Sequence, residues 1–424
     1  MKRTPKEIVD RYVPKKPSFI TFFISQLVAK NFTKKHPIEV TYNFDKKIMN
    51  GRQVLLLSDH ACRDIYYHIL ATYPFVRLNA YVGYQNLFNK SLFRAFLLNG
   101  VIPKYLFSPD IKSVKDGMKL VKNGRSILLF PEGIHSDAGY NQPINPATAK
   151  LISKFKIDVV LCKSYGEYLS EPRFNRCWHK GKTKLEYIWL FKKEELDTLS
   201  VEDINKRLLD KFQYNDFMWN KKEQNKYYGE KPNAYMLDMI LYRCPKCGCE
   251  NKMKVVNDKL MCGKCGNTVI VDEAYNIKPY KKSTLPYERI DEWFMDERMH
   301  IREKVLDENF NYEFDCTLID LATEKLLKNQ YIKCGQGNVK ITKDKIIYIG
   351  TRYDKPFTKE FMISSIPSTP FTIDNCIEFF YNNEYYSFKI TDESEKACKI
   401  MMIIEELHMN LDPSWKKARL ESEE

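Results

Sequence analysis

The chain has no run of the roughly 18 to 20 apolar residues that a membrane-spanning helix needs, which argues against a helical membrane protein. It also lacks a secretory signal pattern, because Met1-Lys2-Arg3-Thr4-Pro5 leads into further charge and a proline instead of an apolar core. A disulfide framework is missing too. Of twelve cysteines, four form two Cys-x-x-Cys pairs and the rest are scattered, as in proteins with reduced cytosolic thiols. Hydrophobic residues are not in short supply: they make up 44% of the chain and aromatics 13%, which excludes a disordered protein. At 424 residues the chain exceeds one ordinary core, so two or three domains are expected.

The formal net charge is +13, and residues 1–50 hold eleven Lys or Arg against four Asp or Glu, a net +7. Such a basic region suits nucleic acid or an anionic membrane surface, with a merely solvated face as the alternative. Within it, Ser18 precedes Phe19, Ile20, Phe22, Phe23, Ile24, Leu27 and Val28, then Lys30, Lys34 and Lys35. This pattern predicts a capped helix whose apolar residues cover most of its surface. It either lies in a lipid interface or packs on the protein core.

From Val54 to about Ile188, short apolar runs alternate with helical patterns. Val54–Leu57, Ile127–Phe130 and Val159–Leu161 read as buried strands, with Val114–Val121 and Ala147–Phe155 as helices between them. Continuous apolar strands separated by helices argue an α/β sheet covered on both faces. Residues 200–235 read as helical and close this domain.

Two Cys-x-x-Cys-Gly knuckles follow, Cys244-Pro245-Lys246-Cys247-Gly248 and Cys262-Gly263-Lys264-Cys265-Gly266. Four thiolates at this spacing predict a zinc ribbon in which Cys244, Cys247, Cys262 and Cys265 hold one structural Zn2+. Their shell is closed to substrate, and Cys249 falls outside the pattern. After a helical connector at 288–306 the chain turns β-rich. Strands are expected at Asn338–Thr342, Lys345–Ile349, Cys376–Tyr381 and Tyr385–Ile390, with a hairpin at Asn382-Asn383-Glu384. A final helix carries Ala397, Ile400, Met401, Ile404 and Leu407 on one face. Antiparallel strands closed by one helix resemble the pleckstrin-homology or GRAM superfold, an analogy of fold that confers no function.

The chemistry lies in two stretches of the α/β region. Ser58-Asp59-His60-Ala61-Cys62-Arg63-Asp64 follows one strand, and Phe130-Pro131-Glu132-Gly133 follows another some seventy residues later. His60 and Asp64 stand at i and i+4, so on one helical turn a carboxylate can orient an imidazole base. Gly100-Val101-Ile102-Pro103 lies between the two stretches, and His135-Ser136 and Asp158-Val159-Val160-Leu161-Cys162 follow them. In order and spacing these blocks resemble the glycerophospholipid (lysophospholipid or 1-acylglycerol-3-phosphate) acyltransferase family.

The resemblance implies that His60 is the general base, Asp64 its orienting partner, and Glu132 and Gly133 part of the acceptor site. It implies direct acyl transfer, so Cys62 is not needed as a nucleophile. This chain departs from the family pattern in having His-x3-Asp for His-x4-Asp. Leu106 and His135 also stand where the family has arginines for the acceptor phosphate, which leaves Lys104 and His135 as substitute candidates.

The resulting expectation is an α/β acyltransferase domain with a mixed sheet covered by helices, followed by a small zinc ribbon and a β-rich domain closed by a helix. Its units run from a basic N-terminal region (1–50) through the acyltransferase domain (51–236), zinc ribbon (240–276), connector (285–310) and β domain (312–412) to a tail (413–424). The implied partners are an acyl-CoA or acyl-carrier-protein donor, a lysophospholipid acceptor and the inner face of a membrane, in phospholipid biosynthesis. Two other readings stay open: a lipid-binding scaffold on an inactive acyltransferase fold, and a nucleic-acid-binding protein built on the ribbon and its lysines.

Overall fold

The computed structural model describes residues 3–60 and 64–423, without the side chain of Asp64. The first part comprises α1 (Pro5–Arg11), α2 (Phe19–Lys35), β1 (Glu39–Tyr42), β2 (Val54–Ser58), α3 (Asp64–Ala71), β3 (Leu78–Gly83), α4 (Phe93–Leu98), β4 (Ile102–Lys104), α5 (Ile111–Lys122) and β5 (Ser126–Leu129). It continues through α6 (Ala147–Phe155), β6 (Asp158–Tyr165), α7 (Glu167–Ser170), β7 (His179–Lys180), β8 (Lys184–Phe191), α8 (Val201–Phe212), α9 (Asp216–Glu223) and β9 (Tyr228–Gly229). Seven of these strands form one sheet in the order β1-β8-β6-β2-β5-β3-β4. The sheet is mixed: β2, β5, β6, β3 and β4 pair in parallel, whereas β8 runs antiparallel to β6.

Alternation along β2 explains its unbroken apolar run. Leu55 and Leu57 pack with Ile152, Phe155, Ile204 and Leu208 under α6 and α8, and Val54 and Leu56 pack with Tyr67 and Ala71 of α3 on the other face. The region expected to be helical from 200 to 235 holds α8 and α9 but leaves helix after Glu223. There Gln224 takes a left-handed conformation and Asn220 Nδ2 donates to the Asn225 carbonyl.

Ser18 caps α2, accepting from the Thr21 N–H at 3.0 Å. The helix turns Phe22, Gln26 and Ala29 inward and leaves Phe19, Ile20, Phe23, Ile24, Leu27 and Val28 about half exposed or more. It therefore has both a packed and an open apolar face. No helix among the described residues is long and apolar enough to cross a membrane.

The cysteine region forms a four-stranded antiparallel sheet of β10 (Met253–Val256), β11 (Lys259–Cys262), β12 (Thr268–Val271) and β13 (Ile277–Pro279). The helix read as a connector is α10 (Ile290–Lys304), and it is core: Trp293, Phe294 and Arg298 are fully buried. Six antiparallel strands follow, namely β14 (Asn311–Leu321), β15 (Tyr331–Thr342), β16 (Lys345–Arg352), β17 (Lys355–Met362), β18 (Cys376–Tyr381) and β19 (Glu384–Ile390), ordered β17-β16-β15-β14-β19-β18. The β18–β19 hairpin turns through Asn382 and Asn383, both at positive φ, as a two-residue type I′ turn demands.

The chain ends in α11 (Ala397–Leu411) and α12 (Pro413–Glu423). Residues 397–409 of α11 are buried on every side, so this is an enclosed helix and not the one-faced helix that its spacing suggests. Sheet, α10 and α12 surround it, and its Glu405, Glu406 and Lys399 are buried because each has a charged partner.

Candidate active site

Strand register brings the two chemical stretches together. β2 and β5 are parallel neighbours with Leu57 opposite Leu129. Three residues past each of these stand His60 and Glu132, at the carboxyl edge of the sheet where α/β folds build their sites. The His60 N–H donates to Glu132 Oε2 at 3.3 Å, and the His60 carbonyl accepts from the Ser136 N–H at 3.3 Å. The backbone of His60 is thus clasped from both sides by the turn that begins at Phe130. The imidazole stacks on Phe130 with ring centroids 4.0 Å apart and 13° between planes, and the His135 ring also lies 4.0 Å away.

Glu132 is buried and faces inward. Its Oε1 accepts from the Gln142 N–H at 2.5 Å, and the Tyr214 hydroxyl stands at 3.5 Å. Burial pushes its carboxyl well above the usual range, against the pull of those hydrogen bonds. Read from sequence as an acceptor-site residue, it borders the cavity while both its oxygens accept from backbone N–H groups, one of them that of His60. Gly133 sits at φ +77° and its N–H closes the turn on the Phe130 carbonyl at 3.0 Å, a conformation that favours glycine. Asp59 is bound to Ser164 through both its backbone N–H and its hydroxyl. The side chain of Asp64, and Cys62, lie outside the described residues.

His60, Lys104, Glu132, Gly133 and His135 all border one cavity of about 1610 Å3. That exceeds the ~300–1,000 Å3 of ordinary small-molecule sites. Its inner wall is mainly apolar, with Ile65, Ile69, Leu78, Val82 and Leu129. Ile24 and Val28 of α2 with Leu92 and Leu98 line its outer part and are exposed. Gly100, at φ +69°, lies where a Cβ would stand 1.9 Å from the Lys15 carbonyl oxygen, and the Asn79 amide joins both segments by donating to Lys15 and Gly100.

Of the residues proposed to replace the family's arginines, His135 is held well below its usual pKa by burial and by the nearby His60, Arg173 and Arg176. Its surroundings therefore disfavour the charged imidazolium. Burial also lowers Lys104, whose ammonium donates to the Ser108 carbonyl at 3.3 Å. Sequence reasoning passed over Arg173 and Arg176. Arg173 is buried and committed to Asp137 at 2.6 Å and to the His135 and Phe371 carbonyls. Arg176 is exposed, borders the cavity and forms no ion pair among the described residues. No local motif marks either one.

The ribbon cysteines form a separate centre. Their Sγ atoms all lie within 4.8 Å of one another, with Cys244 and Cys265 at 3.7 Å and Cys247 and Cys262 at 3.8 Å. A tetrahedron of Zn–S bonds of ~2.3 Å has edges of about 3.8 Å, so the donor set fits a zinc ion. Gly248 and Gly266, both at positive φ, turn the two knuckles so that their N–H groups reach the Cys244 and Cys262 carbonyls at 2.9 Å. A backbone hydrogen bond from Cys249 holds the Cys247 thiol down to about 7. Cys249 Sγ turns to the Glu250 carbonyl.

No protein-family model matches the chain, and no curated protein matches it in sequence. Among solved structures, the 1-acyl-sn-glycerophosphate (LPA) acyltransferase PlsC from Thermotoga maritima is similar at 15% identity and a TM-score of 0.39. The match covers 45% of this chain and 76% of that one.

Proposed function

We propose that the protein is an O-acyltransferase that moves a fatty acyl group from acyl-CoA or an acyl-carrier protein to a lysophospholipid hydroxyl, with 1-acylglycerol 3-phosphate as the leading acceptor. The observation that carries the reading is the clasp of His60 by the Phe130–Ser136 turn on the wall of a large apolar cavity. In the reaction His60 takes the proton of the acceptor hydroxyl as its oxygen attacks the thioester carbonyl. The C–S bond then breaks, an ester C–O bond remains, and the thiolate leaves with the proton returned by the imidazolium. Asp64, the first residue of α3, would orient the ring. The ribbon would hold a structural zinc remote from this chemistry.

The open face of α2, with Lys30, Lys34 and Lys35 at its end, supports docking on an anionic bilayer such as the inner face of the cell membrane. It adjoins the apolar rim of the cavity, so a lipid acceptor would enter from the bilayer. Incubation with a labelled acyl thioester and a panel of lyso-acceptors, followed by lipid mass spectrometry, tests the activity. His60→Ala should lower transfer by about 10²–10⁴-fold with zinc content and thermal unfolding unchanged. A folded His60→Ala protein with full activity would sink the reading.

A further inference from the structure

The C-terminal sheet is one wall of the cavity beside His60. Its register sets Lys333 of β15 opposite Ile319 of β14, Ile319 opposite Ser387 of β19, and Ser387 opposite Glu378 of β18. All four border the cavity, as do Lys389, two residues along β19, and Tyr331, two residues before Lys333. Side chains two apart on a strand share a face, so these groups form one panel facing the cavity, polar except for Ile319. Lys333 and Lys389 have no carboxylate within ion-pair distance among the described residues, and Arg176 on the facing loop has none either.

Three cations border one cavity with no carboxylate at ion-pair distance among the described residues, and together they give it a positive field that suits an anion. Two acids border this part of the cavity. Glu378 is tied to the Tyr385 hydroxyl at 2.6 Å, and burial raises its carboxyl toward the neutral form; Asp374 is exposed and forms no ion pair with the three cations. Arg176 lies three residues from Arg173, whose guanidinium donates to the His135 carbonyl and to the Phe371 carbonyl, and it borders the same cavity as both.

We propose that Arg176, Lys333 and Lys389 form a subsite for the phosphate group of an amphiphilic substrate, with the C-terminal sheet supplying two of its three charges. This rests on the acyl-transfer reading and names the group that the appended sheet recognises. A guanidinium with two ammonium groups suits a phosphate monoester, since Arg binds it bidentately and each Lys adds a point charge. The phosphate could belong to the acceptor's glycerol phosphate or to the coenzyme A of the donor.

Binding to the full chain, measured by titration calorimetry without turnover, separates the sources. One arm compares 1-acylglycerol 3-phosphate with 1-acylglycerol in neutral detergent micelles, and the other compares coenzyme A with pantetheine. The wild type should bind the phosphate-bearing member of one pair at least about tenfold more tightly. Arg176→Ala and Lys333→Glu should each erase most of that preference while affinity for the phosphate-free member holds. The pair that responds identifies the source. No preference in either pair, or a preference that survives in both variants, overturns the subsite. Phosphate-selective binding by a protein that transfers no acyl group would overturn the acyl-transfer reading alone.

Discussion

Glu132 carries two N–H groups on one carboxylate, the part-buried one of His60 and the buried one of Gln142, and the first belongs to the candidate base. Replacing it with alanine strands both donors at a cost of ~1–3 kcal/mol each, and it frees the loop that holds His60. Glu132→Ala should therefore lose stability in denaturant titration and lose kcat with KM for the donor little changed, and Glu132→Gln, which keeps one acceptor oxygen, should recover part of both. The raised carboxyl adds a pH signature. A group whose folded pKa lies above its unfolded value stabilises most at low pH, and that contribution is lost as pH rises through the folded pKa. On going from pH 5 to pH 8 the wild type should thus lose melting temperature relative to Glu132→Gln, and a gap independent of pH would contradict a buried, raised carboxyl. Glu132 stood out in the sequence because glycine and proline frame it in a tight turn. Arg176 did not, because its meaning comes from Lys333 and Lys389, which only the packing of a distant sheet brings near.

At the scale of the element, strands were legible wherever burial on both faces left an apolar run, as in β2, β5 and β6. β17 escaped because it is an edge strand in which only Phe361 is buried, so little apolar signal remains in Lys355–Met362. β14 kept its alternation of Phe314, Cys316 and Leu318, but the polar Asp315 and Thr317 between them hid it. α11 misled in the opposite way: its polar residues implied an open face, yet they sit inside on ion pairs. For α2 the sequence left membrane and core as alternatives, and the helix has one apolar face packed on the core and another exposed. Phe23→Asp with Leu27→Asp, both on the open face, should abolish flotation with anionic vesicles and leave the unfolding curve nearly unmoved, since neither side chain is in the core. A comparable fall in flotation with neutral vesicles at high salt would assign the binding to apolar contact, and retained flotation would remove α2 as the docking element.

The whole molecule is joined by charge as well as by apolar packing. One hydrophobic cluster already runs from Tyr84 and Phe88 of the first part to Leu321, Phe380 and Tyr385 of the last. Among the buried helices α10, α11 and α12, Arg298 pairs with Glu405 and Glu406, Arg302 with Glu406 and Glu423, and Arg419 of α12 with Glu405 at 2.6 Å. Arg419 also donates to Gln142 Oε1 at 3.4 Å, and the Gln142 N–H donates to the Glu132 carboxylate that holds His60. The chain's last helix is therefore linked to its candidate base through two side chains, a coupling that no local motif could announce. Breaking a buried ion pair by removing one partner costs ~3–5 kcal/mol, softened here because Glu405 keeps Arg298. Arg419→Ala should lower stability by about 2–3 kcal/mol and lower kcat, and Arg419→Lys, which restores the charge to Glu405 but cannot also span to Gln142, should recover stability more than turnover. If both variants lose stability and retain full kcat, α12 braces the fold alone and the line from Arg419 to His60 carries nothing to the reaction.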